Sequence, residues 1–314
     1  MALRAQIIRR LIAIGVLLLF FTWTGWYVIK HYQDFSNIFQ VPLLNLIVLY
    51  LFFCATMFLS GVYTRDITQA FGLRLRMADC LMLAAATTAA NYMAIFRAGA
   101  SVRAIYLKTR HRFAYADFIS TLSAMYLMHF IINGFFGLAG LFFLVYNGLP
   151  FDLPFAVFYV VSALVSTVIM FSGFTMKPYN RFPFREISRV VNGWALIRSH
   201  PFLVFKLTAN TFLCYLLLVF QTKVAFATYD VHMSWGALLF YTSGLTPVSL
   251  ATITPGAIGI LEGFSVYMGR VLNYTTADAL QVQALIRFVA ITSLLILGPW
   301  AFSRMGMSAP IKHE

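Results

Sequence analysis

Glu262 is the residue most in need of a chemical account. It lies in TPGAIGILEG, Thr254 to Gly263, between long apolar runs, while the other nine of the chain's ten acids fall at the ends of apolar segments or in polar loops. A carboxylate at bilayer depth costs roughly 2.5 to 3.5 kcal/mol on insertion scales, so it is expected to face protein or water and to hold a proton, an amine or a guanidinium. Pro255, Gly256 and Gly259 break the helix beside it. Broken backbone at that depth survives only where it lines a cavity or is buried in protein. A second broken stretch, FRAGASVR from Phe96 to Arg103, carries the opposite charge. A helix starting after a glycine turn exposes N–H groups and a partial positive charge, and guanidinium groups bind phosphate oxygens through parallel N–H bonds. Arg97, Gly99 and Arg103, with Asn91 just before them, therefore suit a phosphodiester headgroup. The plainer reading makes both arginines anchors at the cytoplasmic interface. Arg287 shares a segment with Gln281 and Gln283; it either pairs with Glu262 or snorkels outward. Glu262 thus has two candidate partners, Arg103 and Arg287.

The elements that position these residues are membrane helices. The chain is 61% hydrophobic and 11% charged, with a mean hydropathy of +0.81, which excludes an ordinary soluble domain. A net charge of +13 would point to nucleic acid in a soluble protein. Here it follows from the Lys and Arg that cytoplasmic loops of membrane proteins collect, so no nucleic-acid partner is expected. Cys54, Cys80 and Cys214 show neither metal spacing nor a disulfide framework, and no cofactor is implied. His129 alone among the histidines falls within a span, where a packed, hydrogen-bonded ring is the ordinary outcome.

Helices crossing a core of about 30 Å need about 20 apolar residues. Such runs occur at Leu11 to Ile29, an uncleaved first span with a Trp23, Trp26 and Tyr27 belt, at Leu43 to Tyr63, Phe118 to Val145, Phe155 to Phe174, Phe202 to Ala227 and Ala279 to Phe302. The segment Ala78 to Phe96 differs, because its alanines and threonines suit close helix packing better than lipid. If it crossed fully, the cations from Arg97 to Arg112 and from Lys177 to Arg198 would all lie outside. If it turns back near Asn91 to Gly99, 18 of the 23 Lys and Arg become cytoplasmic, as the positive-inside rule requires. The stretch from Trp235 through TPGAIGILEG to Val271 then becomes a matching turn entered from outside. The basic stretch from Lys177 to Arg198, with Trp194 and phenylalanines interleaved, reads equally as an amphipathic surface segment or a solvated loop.

At Asn91, at RAGASVRAIYL from Arg97 to Leu107 and at TPGAIGILEG, the sequence resembles the lysylphosphatidylglycerol synthase transmembrane-region family, the flippase-like domain proteins, over nearly its whole length. Family members usually carry a second glycine where this chain has Ala257 and a proline where it has Phe96. The resemblance implies a bacterial inner-membrane protein that moves lipids between leaflets or supports their movement: aminoacylated phosphatidylglycerol in the fused synthases, other phospholipid, hopanoid or polyprenyl-linked glycolipid species in short relatives. Lysyl transfer belongs to a separate soluble acyltransferase-like domain in the fused proteins and is not expected of these residues.

The predicted fold is all-α: a single polytopic domain over residues 1–314, with six full transmembrane helices and two re-entrant helical hairpins. These form inverted halves of about 1–148 and 149–314, with both termini cytoplasmic. Inverted repeats whose broken helices meet near the midplane are a transporter architecture. The predicted substrate-binding residues are Asn91, Arg97, Gly99, Arg103, Pro255, Gly256, Gly259, Glu262 and Arg287, with no catalytic and no metal residues. Glu262→Gln is expected to stop transport while leaving insertion and folding intact. Two rival readings are a membrane-embedded transferase using a lipid-phosphate donor, which requires paired acids at one membrane face, and a non-transporting anchor for a separately encoded lipid-modifying enzyme, which requires a filled interior. Gly134, Gly137 and Gly140 suit either a homodimer face or internal packing.

Overall fold

The computed structural model describes residues 22, 41–94, 98–149, 151–177, 184–250 and 254–307. The span expected at Leu11 to Ile29, and Arg97, lie outside the described residues. All described regular structure is helical: α1 (Leu43–Ala70), α2 (Met77–Met93), α3 (Ala98–His111), α4 (Tyr115–Tyr146), α5 (Leu153–Phe171), α6 (Phe184–Arg198), α7 (Pro201–Ala227), α8 (Trp235–Leu250), a 3₁₀ turn at Pro255–Ala257, α9 (Ile260–Val271) and α10 (Thr276–Met307). Five of the described helices, α1, α4, α5, α7 and α10, are long and apolar enough to cross a membrane. Their outer faces leave large apolar side chains such as Leu51, Phe58, Phe142, Val168 and Ile296 exposed, as lipid-facing surfaces do. The protein is a polytopic helical membrane protein.

Local chemistry sets several boundaries. The Asp152 carboxylate accepts from Phe155 N at 3.1 Å and Pro154 occupies the first turn of α5; Pro201 opens α7. Thr275 and Asp278 cap α10 reciprocally, each side chain accepting from the other's backbone N–H at 3.1 Å. α1 runs seven residues beyond the predicted span, carrying Arg65 and Asp66 as its own last turns.

The short helices pair into two hairpins. α2 packs against α3, and α8 against α9, each pair folding back across a break in the chain. Each hairpin has its own core. Around the first, Cys80, Leu83, Ala86, Tyr106, Leu107 and Phe118 are buried together. Around the second, Phe155, Tyr159, Phe226, Phe240, Tyr241 and Met268 form the largest cluster. α10 contributes Ala301 to the first and Leu285 and Val289 to the second, so it runs along both hairpins.

The α4 glycines serve packing inside the bundle. A methyl at Gly134 would lie 2.8 Å from the Tyr159 carbonyl oxygen and one at Gly137 would lie 2.5 Å from the Tyr159 ring, both on α5. At Gly140 it would lie 2.5 Å from Phe240 N on α8. This seam draws backbones together as small residues do in membrane bundles. α6 is a helix rather than a solvated loop. It docks on α4, where Ser120 Oγ donates to the Val190 carbonyl at 3.0 Å, and Gly193 sits against Ser120.

Candidate functional site

The first break is held by a side chain that replaces lost helix bonds. Asn91 Oδ1 accepts from Gly99 N at 2.9 Å, tying the end of α2 to the start of α3. Gly99 is buried against α2 so closely that a Cβ there would lie 2.0 Å from the Thr87 carbonyl oxygen. One turn further along α3, Arg103 Nε lies 3.4 Å from Thr87 Oγ1. Beside this hairpin is a cavity of about 200 Å³. Arg103 and Asn91 line it together with Tyr63 of α1, Tyr126 and His129 of α4 and Asn210 of α7. Hydrogen bonds hold several of these walls in place: His129 Nδ1 is 2.8 Å from the Met125 carbonyl, and Asn210 Nδ2 donates to the Leu59 carbonyl at 3.1 Å. A guanidinium, phenols and amides converging inside a bundle of apolar helices form a setting for an anionic, oxygen-rich group, because each polar contact is stronger in a low dielectric.

The second break is tighter and differently built. Three residues of four take positive φ: Gly256 at 56°, Ala257 at 59° and Gly259 at 81°. The two glycines adopt this freely. Ala257 pays about 1 kcal/mol for its Cβ in the left-handed region, at the position where relatives usually carry glycine. Thr254 Oγ1 donates to the Ile258 carbonyl at 2.9 Å and closes the turn. α9 then begins with Glu262 in its first turn, where Oε2 accepts from Gly259 N at 2.8 Å. The other oxygen, Oε1, lies 2.5 Å from Arg287 Nη2 of α10. Arg287 is only 4% exposed and Glu262 22%, so this is a largely buried ion pair and Arg287 does not snorkel to the interface. Glu262 therefore pairs with Arg287, not Arg103, in this structure.

The two breaks adjoin through Tyr92. A Cβ built on Gly256 would lie 3.1 Å from Tyr92 Cδ1, so the ring covers the second turn while its chain neighbour Asn91 faces the cavity of the first. Both Arg287 and Glu262 act electrostatically on that tyrosine. The predicted residues thus fall into two neighbouring groups: Asn91, Gly99 and Arg103 by the cavity, and Pro255, Gly256, Gly259, Glu262 and Arg287 around the ion pair.

The family profile of the lysylphosphatidylglycerol synthase transmembrane region matches residues 6–298, which include both breaks. The chain belongs to that family. No curated protein and no solved structure matches it. In this lysylphosphatidylglycerol synthase transmembrane-region protein, sequence reasoning missed Tyr63, Tyr126 and Asn210 as cavity residues and treated His129 as packing. Each is a lone polar residue within a span, which carries no periodic signal; only the convergence of α1, α4 and α7 makes them neighbours. Among the described residues, no group of three or more His, Cys, Asp or Glu is placed to hold a metal ion. Asp117 and Glu186 come within electrostatic range of each other, but Glu186 is 2.8 Å from Arg185 and Asp117 also feels Arg189. These acids are interleaved with cations, unlike an acid pair set to bind a metal.

Proposed function

We propose that this protein moves a lipid with an anionic headgroup between the leaflets of a bacterial inner membrane, and that the cavity beside Arg103 receives the headgroup phosphate. The observation that carries the reading is the cavity itself: a partly buried guanidinium and hydrogen-bonding groups inside a bundle of membrane helices, beside a helix start. Asn91 and Gly99 fix the backbone of that start, and Arg103 supplies the charge. The Glu262–Arg287 pair holds the second break closed next to it. The cavity also speaks against a non-transporting anchor, which needs that space filled. Phospholipid and polyprenyl-linked glycolipid substrates both present the phosphate that the site requires.

The topology belonging to this function has six full spans and two re-entrant hairpins in inverted halves, with both termini cytoplasmic. Support comes from the element order, since among the described residues a span, a hairpin and a closing span recur in each half, and from the positive-inside count. The positive loops then lie on one side. Cysteines placed at Arg110 and Arg189, with Cys54, Cys80 and Cys214 replaced, are expected to react with impermeant maleimide only from the cytoplasmic side. Labelling of both from outside would remove the re-entrant arrangement.

Arg103→Gln tests the site. The substitution keeps a hydrogen-bonding amide but shortens the side chain and removes the charge, and charged hydrogen bonds contribute about 1.5–3 kcal/mol. Movement of acyl-labelled phosphatidylglycerol in reconstituted vesicles is expected to slow roughly tenfold or more. Unchanged movement would dismiss Arg103 as the phosphate ligand.

A further inference from the structure

Among its described lining residues, the cavity offers a headgroup hydroxyls and amides and no carboxylate. Among the described residues lining it, the polar groups are the Arg103 guanidinium, phenols, hydroxyls, carboxamides and the His129 imidazole. The ten acids of the chain make this more than a local gap. Apart from Glu262, the described acids sit in the end turns of helices or in connecting loops, and Asp34 and Glu314 lie outside the described residues. Neither oxygen of Glu262 is idle: Oε1 is held by Arg287 and Oε2 by Gly259 N.

An ammonium entering this space would leave water, meet a guanidinium of the same sign and find, among the described lining residues, no carboxylate to join the lipid's own phosphate. Burying a charge without a partner is among the most expensive steps in recognition. A glycerol or sugar hydroxyl behaves differently, because it both donates and accepts and finds complements in the Tyr63 and Tyr126 phenols, the Thr87 and Thr88 hydroxyls and the Asn210 amide. At about 200 Å³ the cavity falls below pockets that bury whole drug-sized molecules, which span roughly 300–1,000 Å³. It takes a headgroup and leaves the acyl chains against the lipid-facing helices.

We propose that the cavity selects phosphodiester lipids whose headgroup ends in hydroxyl groups, a glycerol or a sugar, over those ending in an ammonium, such as an ethanolamine or an aminoacyl ester. This rests on the reading of the cavity as a headgroup site. It narrows the family-level expectation, since aminoacylated phosphatidylglycerol then becomes a poor ligand for this chain.

The test is competition binding followed by native mass spectrometry. The full chain in neutral detergent is offered equal amounts of phosphatidylglycerol, phosphatidylethanolamine and lysylphosphatidylglycerol with identical acyl chains. Retention of phosphatidylglycerol is expected to exceed that of either amine lipid roughly tenfold. Asn91→Asp keeps the acceptor for Gly99 N and places a carboxylate on the cavity wall, so the ratio is expected to fall towards unity or invert. Equal or stronger retention of the amine lipids by the unaltered protein would overturn the proposal. Displacement of phosphatidylglycerol by equimolar soluble glycerophosphoglycerol would reassign the site to a water-soluble phosphodiester and overturn it as well. Transport is read separately, with the same three lipids in phosphatidylcholine vesicles. If none of them moves while the binding ratio holds, the transport reading falls and the headgroup selectivity stands.

Discussion

Glu262→Gln is expected to lower the thermal unfolding midpoint of the detergent-purified protein as well as to stop lipid movement. From sequence alone the variant was expected to fold normally, and the burial of Arg287 changes that. Glutamine preserves the acceptor for Gly259 N but leaves a guanidinium that is 4% exposed facing a neutral amide. Removing one member of a buried pair costs about 3–5 kcal/mol, because the remaining charge loses its counter-ion, whereas replacing both with apolar groups is often neutral. The double variant Glu262→Gln with Arg287→Met is therefore expected to recover most of the lost midpoint. If it also recovers transport, the pair is a structural clamp; if it does not, the charges take part in the transport cycle. A single variant as heat-stable as the unaltered protein would contradict the ion pair itself.

The second large effect is expected at Gly99. An alanine there would place its methyl 2.0 Å from the Thr87 carbonyl oxygen and 2.7 Å from Asn91 Oδ1. Backbone cannot rotate aside, so α2 and α3 must separate and the Asn91–Gly99 hydrogen bond must stretch. Overpacking of this kind costs about 1–3 kcal/mol and the bond about 1 more. Gly263→Ala is the matched control, since nothing lies within 4 Å of its added methyl and its φ is not positive. Helix propensity alone would stabilise that control by up to about 1 kcal/mol. Equal midpoints for the two alanine variants would refute the close approach of α2 and α3.

Hydropathy made the spans legible because lipid imposes one requirement along each whole helix. α4 was read as Phe118 to Val145 and forms Tyr115–Tyr146, while α1 overran its prediction because a helix can leave the bilayer without unwinding. The break after α2 was expected from composition and charge together, since Ala84 to Ala90 suit packing better than lipid and cations follow from Arg97. Glu262 was visible as an expense, but its acceptance of the Gly259 N–H was not read from the sequence. Nor was its partner. Arg287 and Arg103 are both single cations in apolar surroundings, and only the packing of α9 on α10 decides between them. Departure from the family pattern at Ala257 corresponds to a real backbone demand, because that residue takes φ 59°.

The glycine seam of α4 has a mechanical side. Gly134 and Gly137 lock it to α5, and Gly140 locks it to α8, with backbone close to backbone on two flanks. Interlocked surfaces of this kind slide poorly, since close-packed interiors repack between discrete states instead of deforming gradually. α4, α5 and α8 therefore form one stiff block. α3, which carries Arg103, makes few contacts with α4. On the α4 side, widening the cavity therefore meets least packing when the arginine-bearing helix moves against this fixed wall.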